Sequence, residues 1–79
     1  MLQLWLSKGL RIGMYRRDHP PPHVHVGYGE FELILGLPEG NVLAGYLPKR
    51  QLREARAVCS ERGTAWLKLF HYVNPPRHA

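Results

Sequence analysis

The run Asp18-His19-Pro20-Pro21-Pro22-His23-Val24-His25-Val26 constrains this chain more than any other stretch, because consecutive prolines fix φ and remove backbone donors. One acid and three histidines are therefore presented on stiff backbone. A polyproline-like path rises about 3.1 Å per residue and would hold His19 and His23 roughly 12 Å apart, too far to share a ligand unless the chain turns. His23 and His25 differ. If Val24 and Val26 point into the core from a strand, both imidazoles take the opposite, exposed face, about 6.6 Å apart along the chain. That spacing lets two rings converge on one metal, phosphate or proton. Histidine titrates near neutral pH, which suits general acid/base work or phosphate contact. The plainer alternative is strand-edge histidines that satisfy local hydrogen bonds. Two histidines without a firm third ligand are too few for a closed zinc site, so no metal and no cofactor is expected.

On either side of this run the hydrophobic period is that of strands. Leu10-Arg11-Ile12-Gly13-Met14-Tyr15-Arg16 alternates apolar with polar or small residues, placing Leu10, Ile12 and Met14 on the core face. Arg16-Arg17-Asp18 turns into the prolines, His23 to Val26 forms a second strand, and Gly27-Tyr28-Gly29 supplies a hairpin connection. Residues 30–37 continue as a third strand with Phe31, Leu33 and Leu35 on one face, central in the sheet and partly covered on both sides. Pro38-Glu39-Gly40-Asn41 reads as a turn, in which glycine or asparagine takes positive φ. Val42 to Tyr46 closes an antiparallel meander.

The period then changes. Pro48 suits the first turn of a helix, Leu52, Ala55 and Cys59 recur at helical spacing, and Gly63 suits the stop. On the helix flank, Lys49, Arg53 and Arg56 fall within about 40° either side of one direction and make a basic ridge. Thr64 can cap a last segment, 65–73, that reads equally as short helix or strand, and Asn74-Pro75-Pro76 ends it. The expected architecture is a single α+β domain over 1–79: a small antiparallel sheet of three or four strands with one or two helices on one face.

A chain of 79 residues buries only about 60% of its unfolded surface, which leaves room for a partner subunit or a homo-oligomer. Eleven Lys and Arg against six Asp and Glu give a net charge of +5, which favours RNA, DNA or an acidic protein as partner. The single Cys59 excludes an intramolecular disulfide and reads as core. The apolar start Met1-Leu2-Gln3-Leu4-Trp5-Leu6 is too short to span a bilayer and lacks the features of a signal peptide, so no membrane association and a cytoplasmic location are expected.

Met14-Tyr15, Asp18-His19, Pro21-Pro22-His23-Val24-His25-Val26, Tyr28-Gly29 and the later Val42-Leu43-Ala44-Gly45-Tyr46-Leu47-Pro48-Lys49-Arg50 together resemble domain-of-unknown-function family 4160. These small prokaryotic proteins carry an MYxxDHxPPHxHxxYG segment and a VLxGxLPxR segment. Two departures stand out: Val24 replaces the usual aromatic, and the segment around Trp66 lacks the acidic character of the family's tryptophan-bearing helix. The resemblance implies a toxin-antitoxin-like gene context, a partner that is a small protein encoded by an adjacent gene, and functional interest in Tyr15, Asp18, His19, His23, His25 and Arg50.

Two functions follow as expectations. The first is an RNA-directed toxin, with metal-independent endoribonuclease chemistry if it is an enzyme. His23 with His25 or His19 would move protons, Asp18 would orient an imidazole, and Arg50 and Arg17 would meet the phosphorane charge. The second is a non-enzymatic module that binds nucleic acid or protein, with Tyr15 beside Arg16 and Arg17 for stacking on bases and Lys49, Arg53 and Arg56 for phosphates. A metal hydrolase is weaker, because only Asp18 and distant glutamates could complete the metal shell.

Overall fold

Five strands precede one helix in the computed structural model, which describes residues 1–76. The strands are β1 (Leu2–Ser7), β2 (Leu10–Met14), β3 (His23–Tyr28), β4 (Phe31–Gly36) and β5 (Val42–Gly45), and the helix is α1 (Lys49–Val73). The sheet is an antiparallel meander in the order β1-β2-β3-β4-β5, so each strand pairs with its sequence neighbour. The α+β class stands as expected, but the sheet has five strands rather than three or four. The added strand is β1. Its alternation is blurred at Leu4-Trp5-Leu6, and the pairing with β2 slips between Gln3 and Trp5, so that Trp5 sits opposite Ile12. A bulge of this kind breaks the two-residue period by which a strand is recognised.

Register explains the core. Cross-strand partners share a face, and Leu10, Ile12, Met14, Val24, Val26, Leu33 and Leu35 are all buried on one side of the sheet. Leu37 and Leu47 of the connecting segments and Ala55, Cys59, Trp66 and Phe70 of α1 complete the buried cluster. Each fully buried aliphatic side chain contributes about 1.5–3 kcal/mol. On the opposite face, among the described residues, Glu32 is exposed and Ile34 half-buried, so β4 lies inside the sheet and its second face is only partly covered.

The helix does not stop at Gly63. Residues 49–73 form one element of 25 residues, Thr64 lies inside it, and Asn74 is its C-cap, donating its N–H to the Phe70 carbonyl. Gly63 is buried where α1 crosses the β4–β5 turn, and a Cβ there would collide with the Pro38 carbonyl. Glycine at this position is a close-approach residue instead of a terminator. On the turn itself Gly40 takes φ +80° against Cys59, the positive φ expected of that segment. At the other sheet edge, the Arg62 guanidinium lies 4.9 Å from the Trp5 ring, fastening the helix to β1. No helix among the described residues is long and apolar enough to cross a membrane.

Candidate functional site

The site forms where the β2–β3 connection returns to the sheet beside the C-terminal end of α1. The chain turns across Pro20–Pro21, and His19 and His23 come within 5.5 Å, ring centroid to ring centroid, instead of the 12 Å of an extended path. Asp18 lies under both strand histidines. Its Oδ2 is 2.9 Å from His23 Nε2 and 3.0 Å from His25 Nε2. The Oδ1 atom accepts the His19 backbone N–H at 2.9 Å. A separation of seven residues thus becomes a single three-residue cluster.

Helix α1 holds this loop in place. The Asn74 side-chain carbonyl accepts the Asp18 backbone N–H, and its amide donates to the Tyr15 carbonyl at 3.2 Å. Phe70, one turn earlier, packs its ring 5.6 Å from His23. Asn74 and Phe70 are site residues that sequence reasoning missed. Their i, i+4 spacing on one helical face was the available signal, but it needed a helix continuous through residue 73.

The two strand histidines point as a pair away from buried Val24 and Val26, but they are not equally exposed. His25 keeps 28% of its side chain open and meets the edge of Tyr15 at 4.8 Å, whereas His23 keeps 3%. His23 is therefore enclosed rather than on an exposed face, because the proline loop and Phe70 close over it. Its surroundings are polar where it counts: Nδ1 lies 2.7 Å from the Pro21 carbonyl. A carbonyl only accepts, so Nδ1 carries a proton and donates it, and the Nε2 edge is left facing Asp18. Burial by itself would raise the Asp18 carboxyl; the hydrogen bonds from His25 and the His19 N–H, with the charge on His23, outweigh it and hold the group below its usual range.

A groove of about 1080 Å³ opens beside the cluster, between the loop and the helix end. Arg16, Arg17, Asp18 and His19 line one wall, and Phe70, His71 and Asn74 line the other. His71 is exposed and is a further histidine that sequence reasoning did not single out. The basic ridge lies elsewhere. Lys49, Arg53 and Arg56 border a second, shallower depression with Glu39 and Ser60. Arg50, exposed in the first turn of α1, precedes Phe70 by 20 residues, which is about 30 Å along the axis. Arg50 is thus not brought to the histidines, and it cannot meet charge on a phosphate held there. Lys49 and Arg50 also stand at the positive end of the helix dipole with no acid in the first turn, so this end of α1 concentrates positive potential.

Cys59 is fully buried and its thiol is pushed up by burial, which leaves it inert as a nucleophile. Among the described residues Asp18, His23 and His25 are grouped closely enough to hold a metal ion, so Asp18 is the third donor that spacing alone could not supply.

Neither a curated protein nor a solved structure gives a match to the chain. The family described as domain of unknown function DUF4160 matches residues 9–71, a span that runs from the start of β2 to the last turn of α1 and contains Asp18, His23 and His25. On that match, the chain belongs to the DUF4160 family.

Proposed function

We propose that this protein is the toxin component of a prokaryotic toxin-antitoxin-like pair, acting in the cytoplasm on RNA at the groove beside the Asp18 cluster. One observation carries the reading: a carboxylate that gathers two imidazoles sits at the edge of a groove whose walls present Arg16, Arg17, His19 and His71. Cationic walls draw in a polyanion, and groups able to take up and release protons lie where the backbone of a bound strand would pass. The net charge of +5 favours the same class of ligand. A small acidic protein encoded by the neighbouring gene would neutralise this surface.

Within this reading His23 positions and does not touch substrate, since it is enclosed. His25 and the exposed His19 are the rings that can exchange protons with a bound ribose or leaving oxygen. Asp18 holds His25, and Arg16 and Arg17 replace Arg50 as the cations near the phosphate. Tyr15, 46% exposed beside His25, offers a face for a base.

The second reading, a non-enzymatic nucleic-acid or protein-binding module, is favoured by the separation of the Lys49, Arg53 and Arg56 ridge from the groove beside the histidine cluster. The two readings separate in one experiment. The protein is expressed without its neighbour and growth is followed, and the purified chain is then incubated with total RNA. The toxin reading expects growth arrest and RNA cleavage, both lost in His25→Ala, and weaker RNA binding with a shallower salt dependence in Arg16→Ala/Arg17→Ala. Binding without arrest or cleavage, lost in Lys49→Ala/Arg53→Ala, would replace it with the binding module.

A further inference from the structure

We infer that Asp18, His23 and His25 form a binding site for one divalent transition-metal ion, with Asp18 Oδ2, His23 Nε2 and His25 Nε2 as its protein ligands. The inference goes beyond the RNA reading and stands without it. The three donor atoms lie within 4.8 Å of one another, and both nitrogens approach the same carboxylate oxygen at 2.9 and 3.0 Å. Bonds of about 2.0–2.1 Å in tetrahedral geometry set ligand atoms about 3.3–3.4 Å apart, so an ion is admitted by small side-chain adjustments that open the two contacts to Oδ2 and keep the nitrogens within the 4.8 Å limit.

The surroundings support the donors as a metal site supports its ligands. His23 donates Nδ1–H to the Pro21 carbonyl at 2.7 Å, so once the ring gives up its second proton the Nε2 lone pair is the one that points at Asp18 Oδ2. That contact sets two acceptors face to face unless a proton or a metal ion lies between them. Asp18 Oδ1 is occupied by the His19 N–H, leaving Oδ2 to the cluster. The Asp18 backbone is tied to Asn74. Asp18 and His23 thus each lean on a group of the loop or helix, the arrangement that orients metal-bound imidazoles and carboxylates, while His25 is flanked by the Tyr15 ring at 4.8 Å.

Two histidines and one carboxylate leave open coordination positions, as in catalytic sites and unlike closed structural ones. The partly open side chains of Asp18 and His25 place those positions toward solvent, while His23 closes the rear. Imidazole and carboxylate donors suit Zn²⁺, Mn²⁺ or Fe²⁺ and exclude a thiolate-type centre. In the loaded protein a metal-bound water, not His25, is the proton-transfer group available to a ligand in the groove.

Zinc is the probe that tests this. Protein stripped with chelator is titrated with Zn²⁺ by calorimetry, and histidine ring resonances are followed by NMR on the same samples. The expected result is one ion per chain, with the His23 and His25 rings shifted and those of His19 and His71 unmoved. Asp18→Asn and His25→Ala are expected to weaken binding at least tenfold while circular dichroism stays unchanged. His19→Ala/His71→Ala is expected to bind as the wild type does. No stoichiometric binding by the wild type would overturn the inference. So would binding that shifts His19 or His71 instead, or that survives in folded His25→Ala. Should both cluster variants unfold, the ring shifts of the wild type decide alone. Growth arrest and RNA cleavage play no part in this test, so the RNA reading can fail while the metal site stands, and the reverse.

Discussion

Replacing Gly63 by alanine puts the packing of α1 against the β4–β5 turn to a direct test. In an exposed helix interior, alanine is favoured over glycine by about 0.8–1 kcal/mol, and a helix of 25 residues should welcome the change. The site forbids it. A Cβ on Gly63 would lie 2.9 Å from the Pro38 carbonyl carbon and closer still to its oxygen, where ordinary contact begins at 3.4 Å. The obstacle is backbone, so no side chain can rotate away. The same turn approaches the helix again at Gly40, where an added Cβ would come within 3.2 Å of the Cys59 side chain, so turn and helix are closely apposed at two points. The helix must therefore lift from the sheet, loosening Cys59 and Trp66 in the core on either side. Overpacking of this kind costs about 1–3 kcal/mol, and a rigid obstacle places the cost at or above the upper end. After the propensity gain the net loss is about 2 kcal/mol, a large share of the roughly 4–12 kcal/mol available to a chain of this length. Melting followed by circular dichroism should fall by about 8–16 °C. Thr64→Ala, at the exposed neighbouring position, carries only the propensity term and should melt slightly higher than the wild type. If Gly63→Ala melted at or above the wild-type temperature, the close approach of helix and turn would be refuted.

Two further outcomes follow from the loop. Asn74→Ala removes both side-chain hydrogen bonds to the β2–β3 connection and should cost about 1–2 kcal/mol in urea unfolding, with faster amide exchange at Asp18; unchanged exchange would mean that the loop holds itself. For Asp18 the folded carboxyl lies below its usual value, so the unfolded chain binds the proton more readily. The stability it contributes is present above the unfolded value of about 3.9 and is lost as pH falls through the lower folded value. In chelator-treated samples Asp18→Asn should therefore be less stable than the wild type at pH 6, with the gap closing toward pH 2; parallel acid limbs would show that Asp18 is not held by the histidines.

What could be read from the sequence was whatever depends on neighbours along one element. The alternation of Leu10, Ile12 and Met14, and of Val24 and Val26, marks the core face directly, because strand geometry puts every second residue on one side. The same local rule failed for β1, where the pairing slip near Trp5 disturbs the period, and at Gly63, where the reason for glycine lies in Pro38, a residue 25 positions away in another element. The functional cluster divides in the same way. His23 and His25 share a face by strand period alone, but Asp18 reaches them only because the chain turns at Pro20–Pro21 and α1 returns with Asn74 to clamp it. Arg50 shows the converse. It belongs to the same recognisable set of motifs as the histidines, yet the length of α1 carries the other end of the helix, and not Arg50, back to the loop. Motif membership records that residues occur together, whereas a shared reaction needs them within a few ångströms. In this fold the residues that meet that demand are supplied by β3, the proline loop and the last turn of the helix.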